Sequence, residues 1–374
     1  MGLLIPFTGS NAATAGNLEQ AVRFAAGKVN DAGGIGGVRI RIVARDTHSD
    51  SIRGLEAIED LKQARVEAVI GPESAEIAQA LLPELTDGDV VLISPYVGAA
   101  ETPALDCTRP WYRLAPSAKT LGEALAKLMA AEAVQHVAIF YEGDDYNLAL
   151  ANSAGRRFAR LAGETPRRFE LEPRAQTYAA SLRAASEAGV ETILLATSPR
   201  TGALVVNEAY ALNDTQPRWF LSPLLKTDLF ALNVLPGALQ GALGVAPKIY
   251  EDAEAFPEAF SERWRGDEPL EGAYFYYDAM AMLALGLQQR AADRAAAGGA
   301  ASTLQTALRD VAAPPGEAVS WDELESGLER LALGKEMYYS GLTGPMLVDA
   351  CGARRLGVTS VYSVRDGKIA TRED

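Results

Sequence analysis

Hydrophobic residues along this chain follow two alternating spacings. Short apolar runs bounded by turn residues predict strands, and apolar residues spaced three and four apart predict helices. The predicted strands are 3–7, 68–70, 90–93, 137–141, a strand near Phe169, 192–196 and 218–221. The predicted helices are 17–30, 51–63, 74–85, 117–131, 145–162, 178–188, 201–212, 272–290 and 321–331. This alternation predicts an α/β fold, with parallel sheets covered by helices on both faces.

The segment 28–50 is the most distinctive stretch of the chain. A helical pattern ends at Asn30, and glycines at 33, 34, 36 and 37 then permit a tight reversal with positive φ. Apolar and basic residues alternate after the reversal, which predicts a strand from 38 that ends near Asp46. The glycines follow a helix and form no GxGxxG motif, so they give no support to a dinucleotide site. From these residues alone, an ordinary turn between a helix and a strand explains the segment.

Length and charge restrict the possible functions. A chain of 374 residues suits one large domain or two medium ones. A net charge of −14 argues against nucleic acid or an anionic membrane surface as a partner. The sequence has no run of about 18 apolar residues, so we predict no membrane span.

Catalytic and metal-binding motifs are absent from the sequence. The histidines, His48 and His136, stand far apart, and there is no HExxH, no GxSxG and no Walker-type glycine loop. We therefore predict no metal site, no cofactor and no enzymatic activity.

Several segments together resemble one protein family. Asn30 closes the first helix, a Gly-Gly-Ile sequence follows at 33–35, and the next strand ends in Asp46. Other segments fit the same pattern, namely Thr8-Gly9, 109–116, the triplet Tyr277-Asp278-Ala279, and the closing strands within 339–368. Over nearly its whole length the chain resembles the leucine/isoleucine/valine-binding protein family of type I periplasmic solute-binding proteins.

The resemblance implies a fold and a division into domains. We expect two Rossmann-like lobes with parallel sheets, joined by a three-stranded hinge, and a ligand held in the cleft between them. Lobe one is predicted to comprise 1–117 and 246–356, and lobe two 118–245 and 357–374.

The resemblance also implies a function. The protein is expected to capture a small polar ligand, an amino acid or a related compound, and to deliver it by hinged closure to the membrane permease of an ABC transporter. This role implies a periplasmic or otherwise extracytoplasmic location and a native leader that has been removed, although a cytosolic protein would begin in the same way. The alternative within this fold is a ligand-sensing regulatory or receptor domain, and an α/β enzyme is the third class.

The family's ligand-binding positions fall on loops that follow predicted strands. In lobe one they are Glu73, Ser74, Ala75, Tyr96, Val97 and Gly98, in lobe two Tyr146, Ser198 and Leu224, and Tyr274 is a further aromatic candidate. Ala75 and Gly98 stand where the family typically has serine and threonine. Ser74 is predicted either to contact the ligand or only to cap its helix.

Leu224 stands where amino-acid binders of the family carry an acid that pairs with the ligand's ammonium group. An ammonium group that is buried without a carboxylate is costly. Either Glu73 replaces that acid, or the ligand is not an ordinary α-amino acid. Tyr96, Tyr146 and Tyr274 either form an aromatic pocket suited to cations or planar ligands, or pack at lobe surfaces.

Cys107 and Cys351 are the two cysteines of the chain. Both fall in predicted lobe one, and export would allow a disulfide between them. Two buried free thiols are the alternative.

Overall fold

The computed structural model describes residues 1–85, 90–95, 111–212, 216–250, 253–296, 302–349, 352–354 and 359–372. The chain divides into two compact units. Unit 1 comprises Met1–Gly98, Thr102–Ala115 and Ile249–Leu356, and unit 2 comprises Ala99–Glu101, Pro116–Lys248 and Gly357–Asp374. The predicted pairing of Cys107 with Cys351 lies outside the described residues.

Unit 1 begins with a parallel sheet. Its strands are β1 (Gly2–Ile5), β2 (Val43–Asp46), β3 (Ala68–Ile70), β4 (Val91–Ser94) and β5 (Trp111–Arg113), and its first helices are α1 (Ala15–Asp31), α2 (Ser51–Gln63) and α3 (Ala75–Leu81). The strand order is β2-β1-β3-β4-β5, and all neighbouring strands are parallel. The carboxyl ends of these strands therefore share one edge of the sheet, which is where open α/β sheets bind ligands.

Unit 2 continues the alternation of helices and strands. Its elements in this part of the chain are α4 (Ala118–Ala131), β6 (Val137–Glu142), α5 (Asp145–Ala162), β7 (Arg167–Leu171), α6 (Ala179–Glu187), β8 (Thr192–Ala196), α7 (Pro199–Leu212), β9 (Arg218–Leu221), α8 (Asp228–Leu232) and β10 (Leu243–Pro247). Strands β10, β9, β8, β6 and β7 lie side by side in that order and pair in parallel.

The remaining elements complete both units. Unit 1 adds α9 (Phe256–Arg263), α10 (Glu271–Ala296), α11 (Leu304–Asp310), β11 (Glu317–Val319), α12 (Leu324–Ala332), β12 (Met337–Gly341) and β13 (Gly344–Pro345). Unit 2 closes with β14 (Thr359–Arg365) and β15 (Lys368–Thr371).

The last two strands make the sheet of unit 2 mixed, whereas the sequence predicts parallel sheets only. β14 pairs with β10 and β15, and both pairings are antiparallel. The pairing of β14 with β15 follows from the short turn at Asp366 and Gly367, where both residues have positive φ. A two-residue turn of this kind joins antiparallel neighbours, because a parallel connection needs a much longer crossover.

Helix α10 is the centre of unit 1 and is buried around nearly its whole circumference. Within it, the carboxylate of Asp278 accepts hydrogen bonds from Tyr339 Oη at 2.8 Å and from the amide of Leu342 at 2.9 Å. It also accepts from the amide and hydroxyl of Thr343, at 2.8 and 2.7 Å. A Cβ on Gly341 would lie 2.2 Å from Asp278 Oδ1, so glycine permits this close approach. The network fixes β12 and the turn after it to α10.

The strand predicted from residue 38 is wrong over its first part, because β2 begins only at Val43. The side chain of Asn30 occupies the backbone groups that a strand neighbour would use. Its Nδ2 donates to the Ile40 carbonyl at 3.1 Å, and its Oδ1 accepts from the Ile40 amide at 2.6 Å. Val38 is mostly exposed, so the alternation there does not mark a buried face.

The helix predicted from Trp321 begins instead at Leu324. Ser320 explains the later start, since its amide and hydroxyl both donate to Glu323 Oε2, at 3.1 and 2.9 Å. Trp321 packs into the core of unit 1 from the turn before the helix. Among the residues that the structure describes, none of the helices combines the length and the apolar character that crossing a membrane requires.

Candidate functional site

The ends of β1 and β2 carry a hydrogen-bonded cluster of polar side chains. Thr8 Oγ1 donates to Asp46 Oδ2 at 2.8 Å and lies 2.6 Å from His48 Nδ1. Asp46 Oδ1 accepts from the amides of Thr8 and His48, at 3.2 and 2.8 Å. Burial tends to raise the pKa of Asp46, but the hydrogen bonds from His48 and Thr8 outweigh burial and lower it below the ordinary value. This edge of the sheet therefore carries a negative charge.

Glu73 follows β3 on the same sheet edge and has only one of its carboxyl oxygens paired. Thr47 Oγ1 donates to Glu73 Oε1 at 3.3 Å. Glu73 Oε2 is buried and has no hydrogen-bond partner among the described residues. Burial is the main cause of a raised pKa for Glu73; the charge of Asp46 raises it further, and hydrogen bonds from Thr47 and from its own backbone act against the rise. Glu73 is thus a buried, incompletely paired carboxyl group at the end of β3.

Tyr276 in α10 is a second buried polar group that lacks a partner. The residue is fully buried, and its hydroxyl makes no hydrogen bond within the described part of the chain. Burial, and after it the charge of Glu73, raise the pKa of Tyr276 well above the ordinary value. The two groups are therefore close enough to interact electrostatically.

Ser74 and Ala75 stand at the start of α3. Ser74 is the N-cap, and its hydroxyl accepts from the amide of Ile77 at 3.4 Å. Ala75 is the first residue of the helix and is half-buried. The capping alternative for Ser74 is therefore realised, and its contact with a ligand stays a prediction. The predicted site residues Tyr96, Val97 and Gly98 lie outside the described residues.

Tyr274 faces away from the Glu73 side of α10. Its ring packs on Phe256, with the centroids 4.9 Å apart. Burial first, and then the charges of Glu268 and Glu271, raise the pKa of Tyr274 to about 12. Because successive residues of an α-helix are about 100° apart around its axis, Tyr274 and Tyr276, which are two positions apart, point to nearly opposite faces. The structure thus brings Tyr276, and not Tyr274, towards Glu73.

In unit 2 a buried carboxylate ties the ends of two neighbouring strands. Glu142 ends β6 and is only 4% exposed. Its Oε2 accepts from the Ser198 amide at 2.6 Å, and its Oε1 accepts from the hydroxyls of Ser198 and Thr201, at 3.0 and 2.5 Å. Because these donors come from the β8 loop and from α7, Glu142 fixes that loop. The hydroxyl of the predicted site residue Ser198 is used in this network.

Tyr146 lies in the first turn of α5, after the end of β6. Asp144 caps this helix, since its Oδ1 accepts from the amides of Tyr146 and Asn147, both at 3.1 Å. The ring of Tyr146 packs against the core of unit 2. Leu224 lies in the short turn Pro223–Leu225 after β9 and is half-buried. Both predicted residues therefore follow strand ends, as expected for this fold.

Thr47 and Tyr276 are two neighbours of the candidate residue Glu73 that the sequence does not predict. Thr47 directly follows Asp46, so its place at the end of β2 gave a usable signal. Tyr276 gave none, because α10 is apolar on all sides and its sequence does not show which tyrosine faces the sheet.

A family model described as periplasmic binding protein matches residues 1–325. The match spans most of the chain, and this protein belongs to the periplasmic binding protein family. This match confirms the family and the fold class predicted from the sequence. Because the family consists of solute-binding proteins and not of enzymes, it also confirms the prediction that the protein is not an enzyme. No curated protein sequence matches the chain significantly.

Solved structures show the same fold. The chain is similar to a leucine-binding protein from Thermotoga maritima, with 17% identity, a TM-score of 0.77, and coverage of 100% of this chain and 97% of that one. It is also similar to a branched-chain amino-acid transporter substrate-binding protein from Streptococcus pneumoniae in complex with isoleucine, with 18% identity, a TM-score of 0.73, and coverage of 99% of this chain and 97% of that one. A solute-binding protein of an ABC transporter from R. palustris in complex with benzoate has 16% identity and a TM-score of 0.72, with coverage of 99% of this chain and 94% of that one.

In the part of the chain that the structure describes, no group of three or more His, Cys, Asp or Glu side chains is arranged to hold a metal ion. The polar side chains at the strand ends are hydrogen-bonding groups, of the kind that orient ligands in small-molecule sites.

Proposed function

We propose that this protein is an extracytoplasmic solute-binding protein that captures a small polar ligand and delivers it to the membrane permease of an ABC transporter. The observation that carries the proposal is the family match over residues 1–325. The strand ends support it, since they hold polar groups such as Glu73 and Thr47. Open α/β sheets bind their ligands at such ends.

The ligand that we propose is an amino acid or a related small molecule. Relatives with this fold bind leucine, isoleucine or benzoate, so the fold accommodates amino acids as well as aromatic acids. Leu224 leaves unit 2 without an acid at the position that pairs with an ammonium group in the family. Unit 1 offers Glu73 in its place, with one carboxyl oxygen unpaired.

We further propose that the two lobes of the family correspond to segments 1–117 with 246–356, and 118–245 with 357–374. Contacts to the ligand would come from Glu73, Ser74 and Ala75 in the first lobe, and from Tyr146 and Ser198 in the second. In this account the ligand stabilises the closed state because that state supplies both sets of contacts.

A thermal-unfolding screen tests the proposed function. The purified protein is heated with amino acids, amines, aromatic acids and sugars, each at several concentrations. A captured ligand raises the melting temperature with a saturable dependence on its concentration. We expect such a shift for at least one class and no chemical conversion of that compound. No shift for any class, or turnover of a compound, would contradict the proposal.

A further inference from the structure

One carboxyl oxygen of Glu73 has no hydrogen-bond partner among the described residues. This Oε2 atom is buried, while Oε1 accepts a hydrogen bond from Thr47 at 3.3 Å. Buried polar atoms are normally paired, and an unpaired one costs more when it is charged. The missing partner is therefore a donor that the described chain does not provide.

The charges that act on Glu73 indicate what this donor is. Asp46 raises the pKa of Glu73 through its negative charge, and no basic side chain contributes to the pKa of Glu73. His48 lies 3.4 Å from Asp46 Oδ2 and is charged only when protonated. Two carboxylates near one another, with no lysine or arginine acting on Glu73 among the described residues, favour a positive group and oppose a second anion.

The hydroxyl of Tyr276 is an independent second observation. It is fully buried and has no partner in the described part of the chain, and Glu73 is near enough for its charge to act on it. The loop after β3 and helix α10 thus each carry a buried polar group that has no partner among the described residues, and the charge of one acts on the other. A ligand group that satisfies Glu73 would lie within the influence of both.

We propose that Glu73 is the cation-binding residue of unit 1 and selects ligands that carry a positively charged nitrogen, with the Tyr276 hydroxyl as the neighbouring polar contact. The inference rests on the proposed function, because it names the class of ligand for the same site. A nitrogen cation donates hydrogen bonds to Glu73 Oε2 and compensates the charges of Glu73 and Asp46. Ligands whose only charged group is a carboxylate, such as benzoate, are selected against.

Paired probes test the selection by isothermal titration calorimetry. Each pair differs in a charged nitrogen: L-leucine with 4-methylpentanoate, L-phenylalanine with 3-phenylpropanoate, and benzylamine with benzoate. We expect only nitrogen-bearing members to bind the unaltered protein, and at least one of them to give measurable heat. Glu73→Gln should weaken that binding by about 10- to 100-fold, the effect of losing a charge-assisted hydrogen bond.

Glu76→Gln is the matched control. Glu76 is exposed in the first turn of α3, three residues from Glu73. Its substitution should leave the affinity for the ligand within twofold of that of the unaltered protein. The ligand-free melting temperature of Glu73→Gln is measured beside it. A melting temperature equal to or above that of the unaltered protein shows that lost binding is not lost folding.

The outcomes separate this inference from the proposed function. Binding of any of the three carboxylates that lack a nitrogen, or binding that survives unweakened in Glu73→Gln, overturns the inference and leaves the solute-binding function standing. If none of the six probes binds and every ligand that the thermal screen detects lacks a charged nitrogen, the inference is overturned alone. If the screen also detects nothing, both fail.

Discussion

The side chain of Asn30, near the end of α1, binds both backbone groups of Ile40. The two hydrogen bonds measure 3.1 Å to the carbonyl and 2.6 Å from the amide. Between the two residues, the chain reverses through glycines at 33, 34, 36 and 37, all with positive φ. The asparagine therefore closes a loop that glycine alone leaves free, and it positions the approach to β2, whose end carries Asp46.

Asn30→Ala should lower the free energy of unfolding by about 2 kcal/mol, because two backbone groups at a partly buried site lose their partner. Urea unfolding followed by circular dichroism measures the change. Asp31→Ala, next in the chain and exposed, is the control and should change stability by less than about 0.5 kcal/mol. Equal effects of both substitutions would show that the Asn30 bonds do not hold the loop.

Asp278→Asn should destabilise the protein by about 2–4 kcal/mol. The substitution replaces one carboxylate oxygen by an amide nitrogen, which cannot accept a hydrogen bond. Either the donors from Leu342 and Tyr339 or those from Thr343 then lose their acceptor. Tyr339→Phe removes a single donor and should cost only about 1 kcal/mol. Thermal unfolding compares the two variants, and an Asn variant as stable as the unaltered protein would show that the charge of Asp278 is dispensable.

Glu73→Gln should make the ligand-free protein more stable near pH 7, by on the order of 1 kcal/mol. Burial raises the pKa of Glu73 above the ordinary value of 4.5, so the folded state holds the proton more tightly than the unfolded state. The stability contributed by this group is present below pH 4.5 and is lost as the pH rises through the raised pKa. Glutamine resembles the protonated form and should remove this loss.

The melting temperature of both proteins, measured from pH 4 to pH 8, checks the sign of that prediction. The difference in favour of Glu73→Gln should grow with pH, while Glu76→Gln should follow the unaltered protein throughout. Asp46 also titrates near this site, but both substitutions leave it in place. If Glu73→Gln instead becomes less stable than the unaltered protein as the pH rises, the folded protein prefers a charged Glu73.

Glu142→Gln should destabilise unit 2 by about 2 kcal/mol, since three donors from Ser198 and Thr201 converge on a buried carboxylate. Glu187→Gln at the exposed end of α6 is the control and should be nearly neutral. Hydrogen exchange should localise the effect to the β8 loop and the start of α7. Unchanged exchange there would contradict the role of Glu142 in fixing the loop.

Elements with a clear apolar periodicity were predictable to the residue. Helix α2 and strands β3, β8 and β9 have the bounds that the sequence predicts, because α2 carries an apolar stripe at helical spacing and the three strands are short apolar runs that are almost wholly buried. The segment 38–42 alternates apolar and basic residues without burial of the apolar ones. There the Asn30 side chain, a contact with a distant part of the sequence, replaces the neighbouring strand.

The location of the candidate site around Glu73 was predictable from the sequence, but the contacts within it were not. Glu73 follows a predicted strand, and its position at the sheet edge follows from the fold. Its unpaired oxygen depends on how Thr47 and Tyr276 are placed in three dimensions, which no local pattern encodes. The direction of Tyr274 is equally hidden, because α10 is buried on all sides and its hydrophobicity marks no single inward face.

Mass spectrometry of the small molecules released when freshly purified protein is denatured tests whether the protein captures a cationic solute. We expect one compound in near-stoichiometric amount, with a positively charged nitrogen and a size suited to an amino acid or amine. It should rebind the refolded protein and bind Glu73→Gln more weakly. A released compound without such a nitrogen that rebinds both proteins equally, or no compound here and none in the thermal screen, would contradict the account.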